Sequence, residues 1–148
     1  MALKISPKIP AKKFSPENVT NVLNYLNENN AKFGNIWLLV SGLADSSINF
    51  SGWFENDKAK NVEFINKMVT TLINNNQTYG IYTNKYNWHE ITGNTQIFNN
   101  SSLFYEHPDG KNNFDDYNEY GYPFGGWDKP KMKEYSYKTV CGIEVNNS

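Results

Sequence analysis

Few side chains in this chain of 148 residues have the chemistry for acid–base catalysis, nucleophilic attack or metal binding. His107 follows a strand-like segment and is of a type that titrates or binds ligands, although an exposed loop histidine is the simpler interpretation. His89 stands beside Trp88 and is expected to be structural. The single cysteine, Cys141, lacks the His or Asn arrangement that marks a nucleophile, and we expect it to be small and buried. The two histidines and the scattered Asp and Glu show no metal-ligand spacing, so we predict no metal and no cofactor.

Composition and charge argue against two classes of partner. The net charge is −1 and all 14 basic residues are lysines, so no basic field exists for phosphates and no nucleic-acid partner is expected. No apolar run approaches the roughly 20 residues of a membrane span, and the N-terminus lacks the apolar core of a signal peptide. We therefore expect no membrane association and no export signal in the chain as written. Aromatic residues make up 16% of the chain, which indicates either flat neutral ligands such as sugars or an aromatic-rich core.

The apolar segment from Asn35 to Gly42 is predicted to be a buried strand of a parallel sheet. Its run of Ile, Trp, Leu, Leu and Val leaves no polar face, as is typical of a strand that is covered on both sides. Ligands of such sheets bind beyond the carboxyl ends of the strands. Because positions two apart share a face, Leu39 and Ser41 are expected to point together toward any site.

The other elements alternate in the order typical of βα units. Helices are predicted after the N-cap Ser15, over the apolar stripe from Val62 to Ile73, and from Asn84 to a stop at Gly93. Counting the central segment, six strands are predicted; the other five are Leu3–Ile5, Tyr79–Thr83, Ser102–Glu106, Lys131–Tyr137 and Val140–Asn146. This order predicts a single α/β domain over residues 1–148.

Several sequence motifs follow one another in a specific order. They are Ile36-Trp-Leu-Leu-Val-Ser-Gly42, Tyr79-Gly-Ile-Tyr-Thr-Asn84, Leu103-Phe-Tyr-Glu-His107, Phe124-Gly-Gly-Trp-Asp-Lys-Pro130, Lys133-Glu-Tyr135 and Val140-Cys-Gly-Ile-Glu-Val-Asn146. From Ile5 onward the chain resembles glycoside hydrolase family 25, and most of all the lysozyme branch found in nematodes and amoebae. The resemblance implies a modified (β/α) barrel of the TIM type and muramidase activity, with carboxylates at the carboxyl ends of the strands.

Other residue types stand at the positions of the family's catalytic carboxylates. The resemblance assigns the family's Asp and catalytic Glu to Leu39 and Ser41, and a further Asp on the first barrel strand has no counterpart. It therefore implies a lysozyme-like domain that lacks the first barrel strands, an incomplete barrel of about six strands. It also places Glu134 where the family has Gln.

The same comparison suggests residues for glycan binding. Tyr82, Tyr105 and Trp127 stand where the family has residues that line or support the sugar cleft. Glu144 stands where the family has Asp, and Glu106 is expected near the mouth of the barrel. These five residues are our candidates for contact with a glycan.

Two functional classes follow from the missing carboxylates. Cleavage of a glycosidic bond commonly uses two carboxyls about 5 to 9 Å apart, one of which acts as an acid. Leu39 and Ser41 supply neither, so we expect a lysozyme-like protein without catalysis that binds peptidoglycan or another glycan, signals or acts as a scaffold. The alternative is an active muramidase in which Glu106 or Glu144 has taken over as the acid. A third interpretation is a fragment of a longer gene product; the compartment stays open, since relatives are secreted, lysosomal or phagosomal.

An incomplete barrel leaves two sheet edges with unpaired backbone groups. We expect the edges to be Leu3–Ile5 and Val140–Asn146. They are expected to meet in a smaller barrel, to pair with a second copy of the chain in a homodimer, or to be shielded by the segment from Lys8 to Lys13.

Overall fold

The computed structural model describes residues 3–5, 16–42, 53–54, 56–119, 123–140 and 143–147. Within these residues the elements, in chain order, are β1 (Leu3–Ile5), α1 (Pro16–Glu28), β2 (Ile36–Leu39), α2 (Lys58–Asn74), β3 (Tyr79–Thr83), α3 (Lys85–Thr92), β4 (Ser102–Glu106), α4 (Asp115–Glu119), β5 (Met132–Glu134), β6 (Ser136–Val140) and β7 (Ile143–Asn147). The predicted N-cap Ser15, the segment from Lys8 to Lys13 and Cys141 lie outside the described residues.

The strands β1 to β5 form one parallel sheet in the order of the chain. In the register, Leu38 pairs with Ile81 and Ile81 with Leu103. The α/β class is therefore confirmed, and the barrel is not closed, because β1 and β5 do not pair with each other in the described sheet.

The last part of the chain departs from the predicted arrangement. The predicted strand Lys131–Tyr137 is divided into β5 and β6, and β7 pairs antiparallel with β6 in a separate two-stranded sheet. Only two residues separate β6 from β7, and so short a connection joins antiparallel strands, whereas a parallel neighbour needs a long crossover. The segment Val140–Asn146 is thus not the second edge of the parallel sheet; that edge is β5.

Alternation along β2 sends its side chains into two different clusters. Ile36, Leu38 and Val40 belong to the large core that also contains the buried residues of α2. Trp37 lies on the opposite face with Tyr82 and Phe104, in a smaller cluster against which Leu39 and Met132 pack. The sheet is therefore covered on both faces, as the apolar sequence of β2 predicted.

The helices begin and end at polar residues that satisfy their backbone groups. The Asp57 side chain caps α2 by accepting a hydrogen bond from the backbone N–H of Lys60 at 3.0 Å. The middle of the predicted stripe of α2 is buried as expected, from Ile65 to Leu72. Its last residue, Ile73, is 54% exposed, and Phe64, which was not part of the predicted stripe, is buried. The helix α3 ends at Gly93 in the left-handed conformation with φ 69°, as predicted.

Two further observations complete the fold. The short helix α4 was not predicted, because five residues are too few to show a helical period. Among the described residues, no helix has the length and apolar character of a membrane span.

Candidate functional site

An open cleft of about 430 Å³ lies at the carboxyl ends of β3 and β4. It is lined by Asn84, Lys85, Tyr86, Glu106, His107 and Pro108. We call it the Glu106 cleft. Ligands of parallel α/β sheets bind at this end of the strands, so the cleft is in the expected place for a site.

The carboxylate of Glu106 forms one wall of the cleft and is held by donors from two elements. Asn84, the N-cap of α3, donates from Nδ2 to Oε2 of Glu106 at 3.2 Å. The hydroxyl of Tyr137 on β6 donates to Oε1 of Glu106. The Oδ1 atom of Asn84 accepts the backbone N–H of Asn87 at 2.8 Å, so one side chain fixes both the start of α3 and the carboxylate.

Tyr86 supplies an aromatic surface at the rim of the cleft. It lies in the first turn of α3 and is 64% exposed. An exposed aromatic ring beside carboxylate and amide groups offers a sugar both an apolar face and hydrogen-bond partners.

A second carboxylate lies directly opposite Glu106 in the register of β4 and β5. Glu134 is buried and accepts a hydrogen bond from the hydroxyl of Tyr82 at 3.0 Å. Burial raises the pKa of the Tyr82 hydroxyl above its ordinary value, and the charges of Glu106 and Glu134 raise it further. Tyr82 therefore stays protonated and donates to Glu134.

A network of charged side chains lies behind His107. Asp116 on α4 accepts hydrogen bonds from the Tyr105 hydroxyl at 2.8 Å and from Lys133 Nζ at 2.8 Å. Its other oxygen lies 2.5 Å from Nδ1 of His107. Lys133 also donates to Asp109 at 2.7 Å. Because Lys133 is buried, its ammonium group is neutralised by these two aspartates rather than by water.

The aspartates of this network have pKa values below their ordinary range. For Asp116, burial acts to raise the pKa, but hydrogen bonds from Lys133, His107 and Tyr105 together lower it more. For Asp109, burial is likewise outweighed by hydrogen bonds from Lys133 and from the backbone of Lys111. Both carboxylates are therefore ionised at neutral pH.

The same network places three metal-ligand side chains together. Ligand atoms of His107, Asp109 and Asp116 all lie within 4.8 Å of one another. The spacing in sequence does not show this group, because the loop between β4 and α4 has to fold back to form it. Lys133 Nζ lies between the two aspartates and supplies the positive charge that a bound cation would provide, so the arrangement is that of an ion-pair network.

Three of the predicted sugar contacts are buried side chains. Tyr105 is fully buried on the helix-facing side of β4, with its hydroxyl on Asp116. Trp127 is buried against Trp88, and its Nε1 donates to the carbonyl of Ser101, which precedes β4 and so lies at the opposite end from the cleft. Tyr82 is also buried, with its ring against Phe104. The role of these three residues in lining or supporting a sugar cleft stays a prediction.

The two positions of the missing carboxylates differ in their surroundings. Leu39 lies on the face opposite the helices and packs against the cluster that contains Trp37 and Tyr82. Ser41 follows the strand, and its hydroxyl accepts a hydrogen bond from Nδ2 of Asn87 on α3 at 3.2 Å. Ser41 is therefore directed toward α3, and the prediction that it points with Leu39 toward one site is wrong. The side chain of Glu144 lies outside the described residues.

Sequence reasoning missed Asn84 and Tyr86 as site residues. A usable signal was present, because both follow directly on the predicted strand Tyr79–Thr83 and so lie at its carboxyl end. Asp116 gave no such signal, because it is nine residues from His107 in the sequence and reaches it only when the intervening loop folds back.

Comparison with known proteins gives a consistent result. A family model described as "Lysozyme-like protein 1" matches residues 2–135. The chain is 31% identical to "Probable GH family 25 lysozyme 4" of Dictyostelium discoideum over 82% of this chain and 52% of that protein. It is 33% identical to "Lysozyme-like protein 2" of Caenorhabditis elegans over 83% of this chain and 43% of that protein.

The fold is similar to that of a solved muramidase structure. The muramidase from Trichobolus zukalii superposes with a TM-score of 0.55 and 20% identity, covering 78% of this chain and 52% of the muramidase. The chain thus spans about half the length of the proteins to which it is similar.

Proposed function

Because this chain belongs to the lysozyme-like proteins of glycoside hydrolase family 25, we propose that it binds a glycan such as peptidoglycan in the Glu106 cleft without cleaving it. The observation that carries the proposal is the environment of Leu39. Its hydrocarbon side chain packs into an apolar cluster at the position that the resemblance assigns to a catalytic Asp. A carboxylate at that position would need polar partners, and the cluster offers apolar surface.

The remaining polar groups favour binding over cleavage. The Ser41 hydroxyl, at the position assigned to the catalytic Glu, has no proton that it can give up near neutral pH, and it accepts from Asn87. Glu106 is engaged at both carboxylate oxygens, by Asn84 and by Tyr137. Glu106 lines the cleft, so a sugar hydroxyl in the cleft can approach a carboxylate, a group that accepts hydrogen bonds.

The proposed contacts are of two kinds. The exposed ring of Tyr86 stacks on the apolar face of a sugar, and Glu106 accepts hydrogen bonds from its hydroxyl groups.

A sedimentation assay with purified insoluble peptidoglycan tests the proposal. The wild-type chain is expected in the pellet, and Tyr86→Ala is expected to bind about tenfold more weakly, which corresponds to about 1.4 kcal/mol. Tyr25→Ala is the matched control, because Tyr25 on α1 is 65% exposed and lies outside the cleft. Equal loss of binding in both variants would contradict a site at Tyr86.

A turbidity assay on bacterial cell walls tests the absence of cleavage. The suspension is expected to stay turbid. Clearing at the rate of a family enzyme, abolished by Glu106→Gln, would overturn the proposal and establish the alternative, an active muramidase with a relocated acid. The alternative is worth this test because Glu106 and Glu134 stand opposite each other on neighbouring strands at the carboxyl end of the sheet.

A further inference from the structure

His107 connects the Glu106 cleft to the ion-pair network behind it. It lines the cleft, and its side chain is 35% exposed. Its Nδ1 atom lies 2.5 Å from a carboxylate oxygen of Asp116 and 3.8 Å from one of Asp109. Only the first distance is that of a hydrogen bond.

The hydrogen bond to Asp116 determines which ring nitrogen carries the proton. Asp116 is ionised, and the Tyr105 hydroxyl and Lys133 also donate to it, so its carboxylate acts as an acceptor. Nδ1 of His107 must therefore be the donor. In a neutral imidazole whose Nδ1 carries the proton, the lone pair is on Nε2.

We propose that Asp116 is a positioning residue that holds His107 as the Nδ1–H tautomer, and that Nε2 of His107 accepts a hydrogen bond from a hydroxyl group of the glycan in the Glu106 cleft. The contact between Nε2 and a glycan rests on the proposed function, whereas the tautomer held by Asp116 does not. With Glu106, it gives the cleft two acceptors, which suits a ligand rich in hydroxyl donors.

Charged groups surround His107 on both sides. Asp109, Asp116 and Lys133 lie in the network behind the ring, and Glu106 and Lys85 line the cleft beside it. The proposed contact needs the neutral ring, because a protonated imidazole donates from both nitrogens.

Two substitutions separate the roles of the aspartates. In Asp116→Asn the side chain keeps a single acceptor oxygen, which the charged Lys133 takes, so its NH₂ group faces His107 and Nδ1 must become the acceptor. Asp109→Asn is the matched control, because Asp109 also accepts from Lys133 but is not hydrogen-bonded to the ring.

Nitrogen-15 NMR of the imidazole groups of the full chain reads the tautomer without any ligand. We expect His107 to carry its proton on Nδ1 in the wild type and in Asp109→Asn, and on Nε2 in Asp116→Asn. The second histidine, His89, serves as an internal reference. A wild-type His107 in the Nε2–H tautomer, or an unchanged tautomer in Asp116→Asn, would overturn the inference.

Sedimentation with insoluble peptidoglycan then tests the role in binding. Asp116→Asn is expected to bind about tenfold more weakly at neutral pH, whereas Asp109→Asn binds as the wild type does. A changed tautomer with unchanged binding overturns the role of Nε2. If the wild type shows the Nδ1–H tautomer but no binding at any pH, the proposed function fails while the positioning by Asp116 stands.

A variant of His107 itself covers the case in which Asp116→Asn does not fold. His107→Gln has an amide that donates and accepts at once and does not titrate. His107→Phe has no acceptor at this position. Binding of His107→Gln to peptidoglycan is expected to be stronger than that of His107→Phe, and equal binding by the two variants would contradict the inference.

Discussion

At the scale of single residues, Asp116 brings together side chains that are far apart in the sequence. It accepts from Tyr105 on β4, from His107 in the following loop and from Lys133 on β5. Each contact satisfies a group that is costly to bury alone. The position of His107 at the cleft therefore depends on residues that do not touch the cleft.

Lys133 is predicted to matter for stability through the charges it neutralises. Lys133→Met leaves Asp109 and Asp116 partly buried without their ammonium partner, so the free energy of unfolding is expected to fall by about 3 to 5 kcal/mol. Urea denaturation measures this. Lys67→Met removes an exposed pair with Glu63 and is expected to change the free energy by less than about 1 kcal/mol. Equal effects would show that the buried network contributes no more than a surface pair.

The lowered pKa values of Asp109 and Asp116 predict how stability depends on pH. A carboxylate whose pKa is lower in the folded state binds fewer protons there than in the unfolded state, so its contribution grows with pH. It is complete above the ordinary Asp value of about 3.9 and is lost as the pH falls through the folded value. Urea denaturation at several pH values below about 5 is expected to give a shallower decline for Asp109→Asn than for the wild type. Parallel curves would contradict this assignment.

The sequence located some of these residues and not others, for physical reasons. Side chains alternate between the two faces of a strand, and this alternation correctly placed Leu39 on the face of β2 opposite the helices. It did not show that Tyr105 lies beneath α4, since alternation distinguishes two faces but does not say what covers each. Contacts such as that of His107 with Asp116 follow from loop closure, which leaves no periodic pattern.

At the scale of elements, α3 builds one side of the cleft. Its cap, Asn84, holds Glu106, and its first turn carries Tyr86. This helix and α2 were predictable because caps and a period of 3.6 residues mark them. The β6–β7 pair and α4 were not, because short segments carry too few residues to show a period.

The double role of Asn84 leads to a prediction. Asn84→Ala removes the cap of α3 and is expected to cost about 1 kcal/mol of stability. It also frees the carboxylate of Glu106, so binding to peptidoglycan should weaken. Asp57→Ala removes the cap of α2 and is expected to lower stability but leave binding unchanged. Loss of binding in both variants would mean that binding simply follows stability.

At the scale of the whole molecule, the parallel sheet is open at β1 and at β5. The alternation of strands and helices in the sequence predicted the order of the strands. It did not predict that β5, rather than Val140–Asn146, forms the second edge. Strand β1 pairs with β2 alone among the described strands. An edge strand of this kind is a template for another chain.

We therefore expect copies of this chain to associate through the open edge as the concentration rises. Light scattering during size-exclusion chromatography should give about twice the monomer mass of 17.1 kDa. A mass of one chain at every concentration would show that the edge is covered within the monomer.

The central claim is that this lysozyme-like chain binds glycan and does not cleave it. The most direct measurement incubates the full chain with purified peptidoglycan and determines, in one sample, the bound protein and the newly formed reducing ends. We expect protein in the pellet and reducing ends at the level of the buffer blank. Reducing ends released at the rate of a family muramidase run alongside, or protein that stays in the supernatant, would contradict it.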